Sequence, residues 1–211
     1  MAEHIQTEED NTEQKIRQVA KRLFTERGYA GTKIRDVAEE AGVNIALLNY
    51  YFRSKERLYE SILSENFEEY ASAISETLNA QDIPLHTRIK AYVSQLIEHL
   101  ENNPDLPFFI MSECRNNSEF CVHIMDKKMR KFNESVLAQQ LKKEAEKGNI
   151  RTIDPMHFEH MVVAQIVMPF LGAPVFKHVH QMDDVSFKKF MDEQKDIVPD
   201  MIMAYLKNTQ E

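Results

Sequence analysis

Tryptophan is absent from this chain of 211 residues, glycine occurs only 5 times and cysteine twice. Each scarcity closes off a class of protein. Five glycines leave no glycine-rich phosphate loop and too little tight-turn punctuation for a multi-stranded sheet. Cys114 and Cys121 make neither a disulfide framework nor a zinc site, and are expected to be reduced core or half-buried side chains. Long apolar runs are also missing. The most apolar stretch, residues 161 to 176, is interrupted by Pro169, Gly172 and Pro174, so a buried helix is expected there rather than a membrane span. The opening MAEHIQTEED is acidic, unlike a signal or transit peptide, and points to a cytoplasmic protein with no membrane partner. Nucleophile, base and acid are nowhere paired, which argues against an enzyme and leaves catalytic residues and cofactors unassigned. His157 and His160 share a helix face and His178 and His180 follow, but no third ligand stands at metal-binding spacing, so no metal is expected.

What remains is 43% hydrophobic and 28% charged, rich in Glu, Lys, Leu, Ala and Met, and long enough to bury a core without staples. This composition predicts an all-α protein. The net charge of -8 hides an uneven distribution: residues 11–60 carry +3, residues 61–211 carry -7 and the first ten carry -4. A mildly basic head on an acidic body keeps nucleic acid in play as a partner.

Along the chain, an acidic tail that reads as disordered precedes Thr12, a possible cap for a helix with Ile16, Val19, Ala20, Leu23 and Phe24 on one face and a stop at Gly28. Thr32 stands as the cap of a second helix ended by Gly42, and a third runs from about Asn44 or Ile45 to Phe52. Arg53 and Ser54 break it, and Ser54 caps a helix from Lys55 to about Leu78, with Leu58, Tyr59, Ile62, Leu63, Phe67 and Tyr70 apolar. Pro84 opens a helix with the stripe Ile89, Tyr92, Val93, Leu96, Ile97 and Leu100. Residues 106–114 form a short apolar helix, and residues 118–147 read as one helix with Ile124 among its inward positions. Asp154 and Pro155 start an apolar helix to about Val175, with a kink expected at Pro169, and Ser186 starts the last.

Thr32 to Lys55, TKIRDVAEEAGVNIALLNYYFRSK, has the layout of a helix-turn-helix followed by a basic helix start. In the third helix Ile45, Ala46, Asn49 and Tyr50 lie three and four residues apart and share a face, while Leu48 and Phe52 share another. The first face suits a major groove. Asn49 can donate to and accept from an adenine edge, Ala46 permits close approach, and Ile45 can meet a thymine methyl. Tyr50 and Tyr51 offer hydroxyls to phosphates and rings to sugars. Thr32 with Lys33, Asn44 at the third helix start, and Lys55 at the next one stand where helix N-termini attract phosphates.

The stretch from about Glu13 to Ser61 resembles the TetR family of bacterial transcriptional regulators. The match is chained: A-x-x-L-F-x-x-x-G-Y from Ala20 to Tyr29, T-x-I-x-D-V-A-x-x-A-G-V from Thr32 to Val43, then L-x-Y-Y-F-x-S-K-E-x-L from Leu48 to Leu58. Lys33, Ala46 and Asn49 depart from the family's usual threonine, glycine and tyrosine, which bears on operator sequence rather than mode of binding. The resemblance implies a three-helix DNA-binding head, residues 11–57, and a larger helical ligand-binding and dimerisation body, residues 58–211. It further implies a homodimer through the last two helices, which would present two heads to a palindromic double-stranded operator, and a repressor released by a small, hydrophobic effector. Phe108, Phe109, Met111, Met125, Met129, Met161, Met168 and Phe170 form a Met- and Phe-rich set expected inside the body, where such side chains can line a pocket or simply fill the core. A ligand-independent DNA-binding regulator and a helical enzyme are the alternatives.

Overall fold

The computed structural model describes residues 2–116 and 118–207, and among these the ordered elements are helices. They are α1 (Ala2–Gly31), α2 (Ile34–Ala41), α3 (Ile45–Phe52), α4 (Lys55–Asn79), α5 (Leu85–Asn102), α6 (Leu106–Asn116), α7 (Ser118–Asn133), α8 (Val136–Glu146), α9 (Pro155–Leu171), α10 (Ala173–Val179) and α11 (Asp184–Lys207). The side chains of Phe67, Tyr70 and Ile124 lie outside the described residues.

Local chemistry sets most of the boundaries. Ser54 caps α4 by accepting from the Arg57 N–H at 3.2 Å, and Asp154 caps α9 by accepting from the Met156 N–H at 2.7 Å. Four expectations are corrected. Helix α1 spans Ala2–Gly31, so Thr12 lies inside it rather than capping it, and the acidic stretch from residue 2 is helical; Glu, Gln and Ala favour helix there, and acidic residues near an N-terminus complement the helix dipole. Residues 118–147 are two helices, because the Ser135 Oγ accepts from the Ala138 N–H at 3.2 Å and donates to the Phe132 carbonyl at 2.6 Å, which ends α7 and caps α8. The break in the late apolar helix falls at Gly172, with a 74° bend between α9 and α10, while Pro169 stays inside α9. Pro174, with no N–H to continue α9, is tolerated only in the first turn of a new helix. Finally, Phe108, Met111 and Met168 are exposed rather than interior.

Two apolar cores form. The larger joins the α5 stripe, Ile89 through Leu100, to Leu137 and Leu141 of α8, Phe158, Val162 and Ile166 of α9, and Met191, Val198 and Ile202 of α11. The smaller holds Ile16, Ala20, Leu23 and Phe24 of α1, Val37, Ala38 and Ala41 of α2, and Leu48 and Phe52 of α3. It does not stop at the head: Leu58, Tyr59, Ile62 and Leu63 of α4 and Leu106 and Phe109 of α6 belong to it. The Tyr59 ring lies edge-on to Phe24 at 4.7 Å and to Phe109 at 5.3 Å.

The far end of α4 is held by a buried cation. Arg88 of α5 donates through Nη1 to the Thr77 carbonyl at 3.0 Å and the Leu78 carbonyl at 3.4 Å, and through Nε to the Gln140 side chain of α8 at 2.8 Å. A positive charge on the last carbonyls of α4 complements the helix dipole and ties three helices at one point. Helices α5 and α11 are further linked by exposed polar pairs: His86 with Asp200 and Lys188 with Glu101, each at 2.9 Å, and Lys90 with Asp196. Each contributes little alone. Among the described residues no single helix is long and apolar enough to cross a membrane.

Candidate nucleic-acid interface

The turn between α2 and α3 is fixed by backbone bonds. Gly42 adopts φ 68°, its N–H reaches the Glu39 carbonyl at 3.1 Å, and the Val43 N–H reaches the Ala38 carbonyl at 2.9 Å. This six-residue closure requires the left-handed conformation that glycine adopts without steric cost. Val43 is half-buried against the head core. Asn44 then caps α3, its side-chain oxygen accepting from the Leu47 N–H at 2.7 Å.

With Leu48 and Phe52 buried, the opposite face of α3 is turned outward. Tyr50 is 65% and Ile45 40% exposed, and Ala46 and Asn49 are exposed between them. The structure thus brings together the four side chains that the spacing placed on one face. Tyr51 is half-buried, its ring 5.4 Å from Tyr50 and packed on the head core. Lys33 is exposed at the start of α2. Lys55 lies with its ammonium 4.0 Å from the Tyr29 ring centroid, and burial holds its pKa below the ordinary value of 10.5.

Thr32 is placed differently from its expected capping role. It is fully buried, and its hydroxyl donates to the Leu23 carbonyl at 3.0 Å and the Gly28 carbonyl at 2.9 Å, while Lys33 occupies the cap position of α2 without a side-chain bond. The hydroxyl closes the end of α1, where Gly28 leaves helical geometry at φ 69°. Thr32 therefore anchors the turn from inside.

Ion pairing sorts the head's positive charge. On α1, Arg17 pairs with Glu13 and Glu65, Lys21 with Glu69, Arg22 with Glu26 and Glu40, and Arg27 with Asp36. Among the described residues no ion pair engages Lys33, Arg35, Arg53, Lys55 or Arg57. Lys33 and Arg35 stand at the start of α2, Arg53 at the C-terminus of α3, and Lys55 and Arg57 at the start of α4, the elements that adjoin the reading helix in the chain. Arg35, Arg53 and Arg57 were not singled out from the sequence. Their charge was visible, but which basic residues would be neutralised by partners was not.

A second feature lies in the body. A pocket of about 150 Å³ sits between α5, α6, α7 and α9, with Leu96, His99, Ile110, Met125, Lys128 and Val163 among its walls. A larger groove between α1 and α4, about 1160 Å³, is open and lined by Glu13, Glu65, Glu68, Glu69 and Glu76. The smaller one has the apolar enclosure that a ligand needs. Of the eight Met and Phe side chains expected inside, Met125 and the exposed Met111 line it, while Phe109 belongs to the head core.

Burial, the main cause, holds the His99 imidazole below its ordinary value of 6.5; the Glu69 carboxylate opposes the shift and the Lys21 ammonium adds to it. The unfolded chain then takes up a proton before the folded one. This contribution to stability is fully present above about pH 6.5 and declines as pH falls below it. His99→Gln is expected to flatten the fall of the urea midpoint between about pH 7 and 5. Equal slopes in the two proteins would refute the assignment.

Comparison with known proteins agrees with this arrangement. Residues 16–62 match the family model described as bacterial regulatory proteins, tetR family. A probable HTH-type transcriptional regulator, YttP of Bacillus subtilis, is 27% identical over 190 residues, covering 88% of this chain and 91% of its own length. The repressor DhaR of a Mycobacterium species is 33% identical over 79 residues, covering 37% of this chain and 40% of its own. The crystal structure of the regulator FadR from Bacillus subtilis, in complex with stearoyl-CoA, shares the fold at a TM-score of 0.69 and 16% identity, covering 92% of this chain and 98% of that one. Residues 16–62 thus carry the head of the tetR family of bacterial regulatory proteins, and the two sequence relatives are named as transcriptional regulators.

Proposed function

We propose that the chain is a repressor which binds a palindromic operator as a homodimer and is released when a small apolar molecule occupies the body pocket. The observation that carries the reading is the α3 face, with Ile45, Ala46, Asn49 and Tyr50 exposed together and five cations around them. A convex, narrow face with one amide fits a groove about 12 Å wide, and the cations fit the phosphates beside it.

The dimer face belongs to the late helices. Met168 on α9, Val175 and Val179 on α10, and Ile197, Met201 and Tyr205 on α11 are all exposed, an outward apolar surface that a second copy would bury. Two heads so related would meet half-sites about 34–36 Å apart, or a multiple of that.

Two elements can carry a signal from the pocket to the head. Helix α4 starts beside the reading helix and packs against the body. Helix α6 supplies Leu106 and Ile110 to the pocket wall and Leu106 and Phe109 to the head core. A ligand acts only by binding the operator-competent and released states unequally.

Selection of bound sites from random DNA tests the reading. The native protein is expected to yield a palindrome; Asn49→Ala is expected to relax one position per half-site, by about 1–3 kcal/mol of discrimination. Lys55→Ala should weaken all sequences alike and lower the salt slope by about one. An unchanged preference in Asn49→Ala would remove the readout role, and operator affinity indifferent to every pocket ligand would remove the release step.

A further inference from the structure

We propose that the pocket between α5, α6, α7 and α9 takes a small apolar monocarboxylate with a benzene-sized body, and that Lys128 is the side chain that selects the charge. The proposal rests on the reading of this pocket as the effector site and names the class of molecule it admits.

Size comes first. A volume of about 150 Å³ is that of a cavity able to hold benzene, well short of a drug-sized ligand. Leu96, Ile110, Met125 and Val163 supply an apolar enclosure for such a body. Among the described residues the polar character of the wall comes from two side chains, His99 and Lys128, both nitrogen groups, and none of the described lining residues is a carboxylate. An acid stands behind the wall: Glu159 of α9 pairs with the Lys128 ammonium at 2.7 Å, the two side chains being only 10% and 20% exposed.

Charge then discriminates among ligands. An ammonium has three rotatable N–H donors, so Lys128 can turn toward a second carboxylate while keeping a partner in Glu159. A cationic ligand would compete with Lys128 for Glu159 and find no other carboxylate among the described wall residues. A neutral one of the same shape would gain only the apolar contact. Burial favours the uncharged form of His99, so Lys128 is the cation of the described wall, and a ligand carboxylate would share its ammonium with Glu159. Occupancy would press on Leu106 and Ile110 of α6, whose neighbour Phe109 lies in the head core.

The test is a titration of the full chain, without DNA, observed through methionine methyl resonances by NMR. Met111 and Met125 line the pocket and are assigned with Met111→Leu and Met125→Leu. Benzoate is expected to shift both signals saturably, benzyl alcohol to bind at least about tenfold more weakly, and benzylamine more weakly still. Glu159→Gln, which removes the competing carboxylate, should tighten benzoate and leave benzyl alcohol unchanged. The pair Lys128→Met with Glu159→Gln, which leaves no uncompensated charge, should bring benzoate and benzyl alcohol to equal affinity. Equal binding of benzoate and benzyl alcohol by the native chain would overturn the proposal. So would benzoate leaving both methyl signals in place, or Glu159→Gln weakening it. Benzoate bound at Met111 and Met125 with operator affinity unchanged would instead sink the release reading and leave the carboxylate assignment standing.

Discussion

Arg88→Met is expected to lower the stability of the protein by about 3–5 kcal/mol. Arg88 is 1% exposed and its guanidinium makes three hydrogen bonds, two of them to the terminal carbonyls of α4. Methionine fills similar space but donates nothing. The Thr77 and Leu78 carbonyls and the Gln140 side chain would lose their donor inside the protein, each at a cost of about 1–3 kcal/mol unless water enters. Arg88→Lys keeps the charge but cannot span both α4 and α8 with one planar fork, so it should recover only part of the loss. Urea unfolding of the native chain and the two variants measures this. A change under about 1 kcal/mol in Arg88→Met would mean that the α4 terminus is satisfied without the clamp.

Phe109→Ala should cost about 3–5 kcal/mol, and the loss should be felt in the head although the residue belongs to α6. Phe109 is 4% exposed and its ring packs 5.3 Å from Tyr59, which in turn meets Phe24 and Tyr29. Removing it opens a cavity where α1, α4 and α6 converge. The expected signature is faster amide hydrogen exchange in α1, α2 and α3 together with weaker operator binding. Unchanged protection of α2 and α3 would show that the head core closes without α6.

The legible parts of the head were those decided by neighbours in sequence. Gly42 as the stop of α2, Ser54 as the cap of α4, and the division of α3 into a buried Leu48 and Phe52 side and an exposed Asn49 side all follow from spacing and local backbone chemistry. Thr32 shows where that reasoning ends. Its position before a helix suggests a cap, but a hydroxyl that can reach the carbonyls of Leu23 and Gly28 is pulled inward by α1. The Ser135 break was missed for a related reason: an apolar period continued across it, and one serine switching from donor to acceptor carries no strong signal in a helix-rich stretch.

The sequence by itself determined the all-helical class, which residues of α3 share its outward face, and the likeness of the head to the tetR family, because helix period, caps and a chained motif of about 50 residues are local properties. Only the tertiary structure decided which cations stay unpaired around the reading face, that Phe109 belongs to the head core while Phe108 and Met111 are exposed, and that Lys128 meets a pocket with Glu159 at its back. Those outcomes depend on which helix faces pack together across long separations, and pairing and burial are set by that packing rather than by any residue's neighbours in the chain.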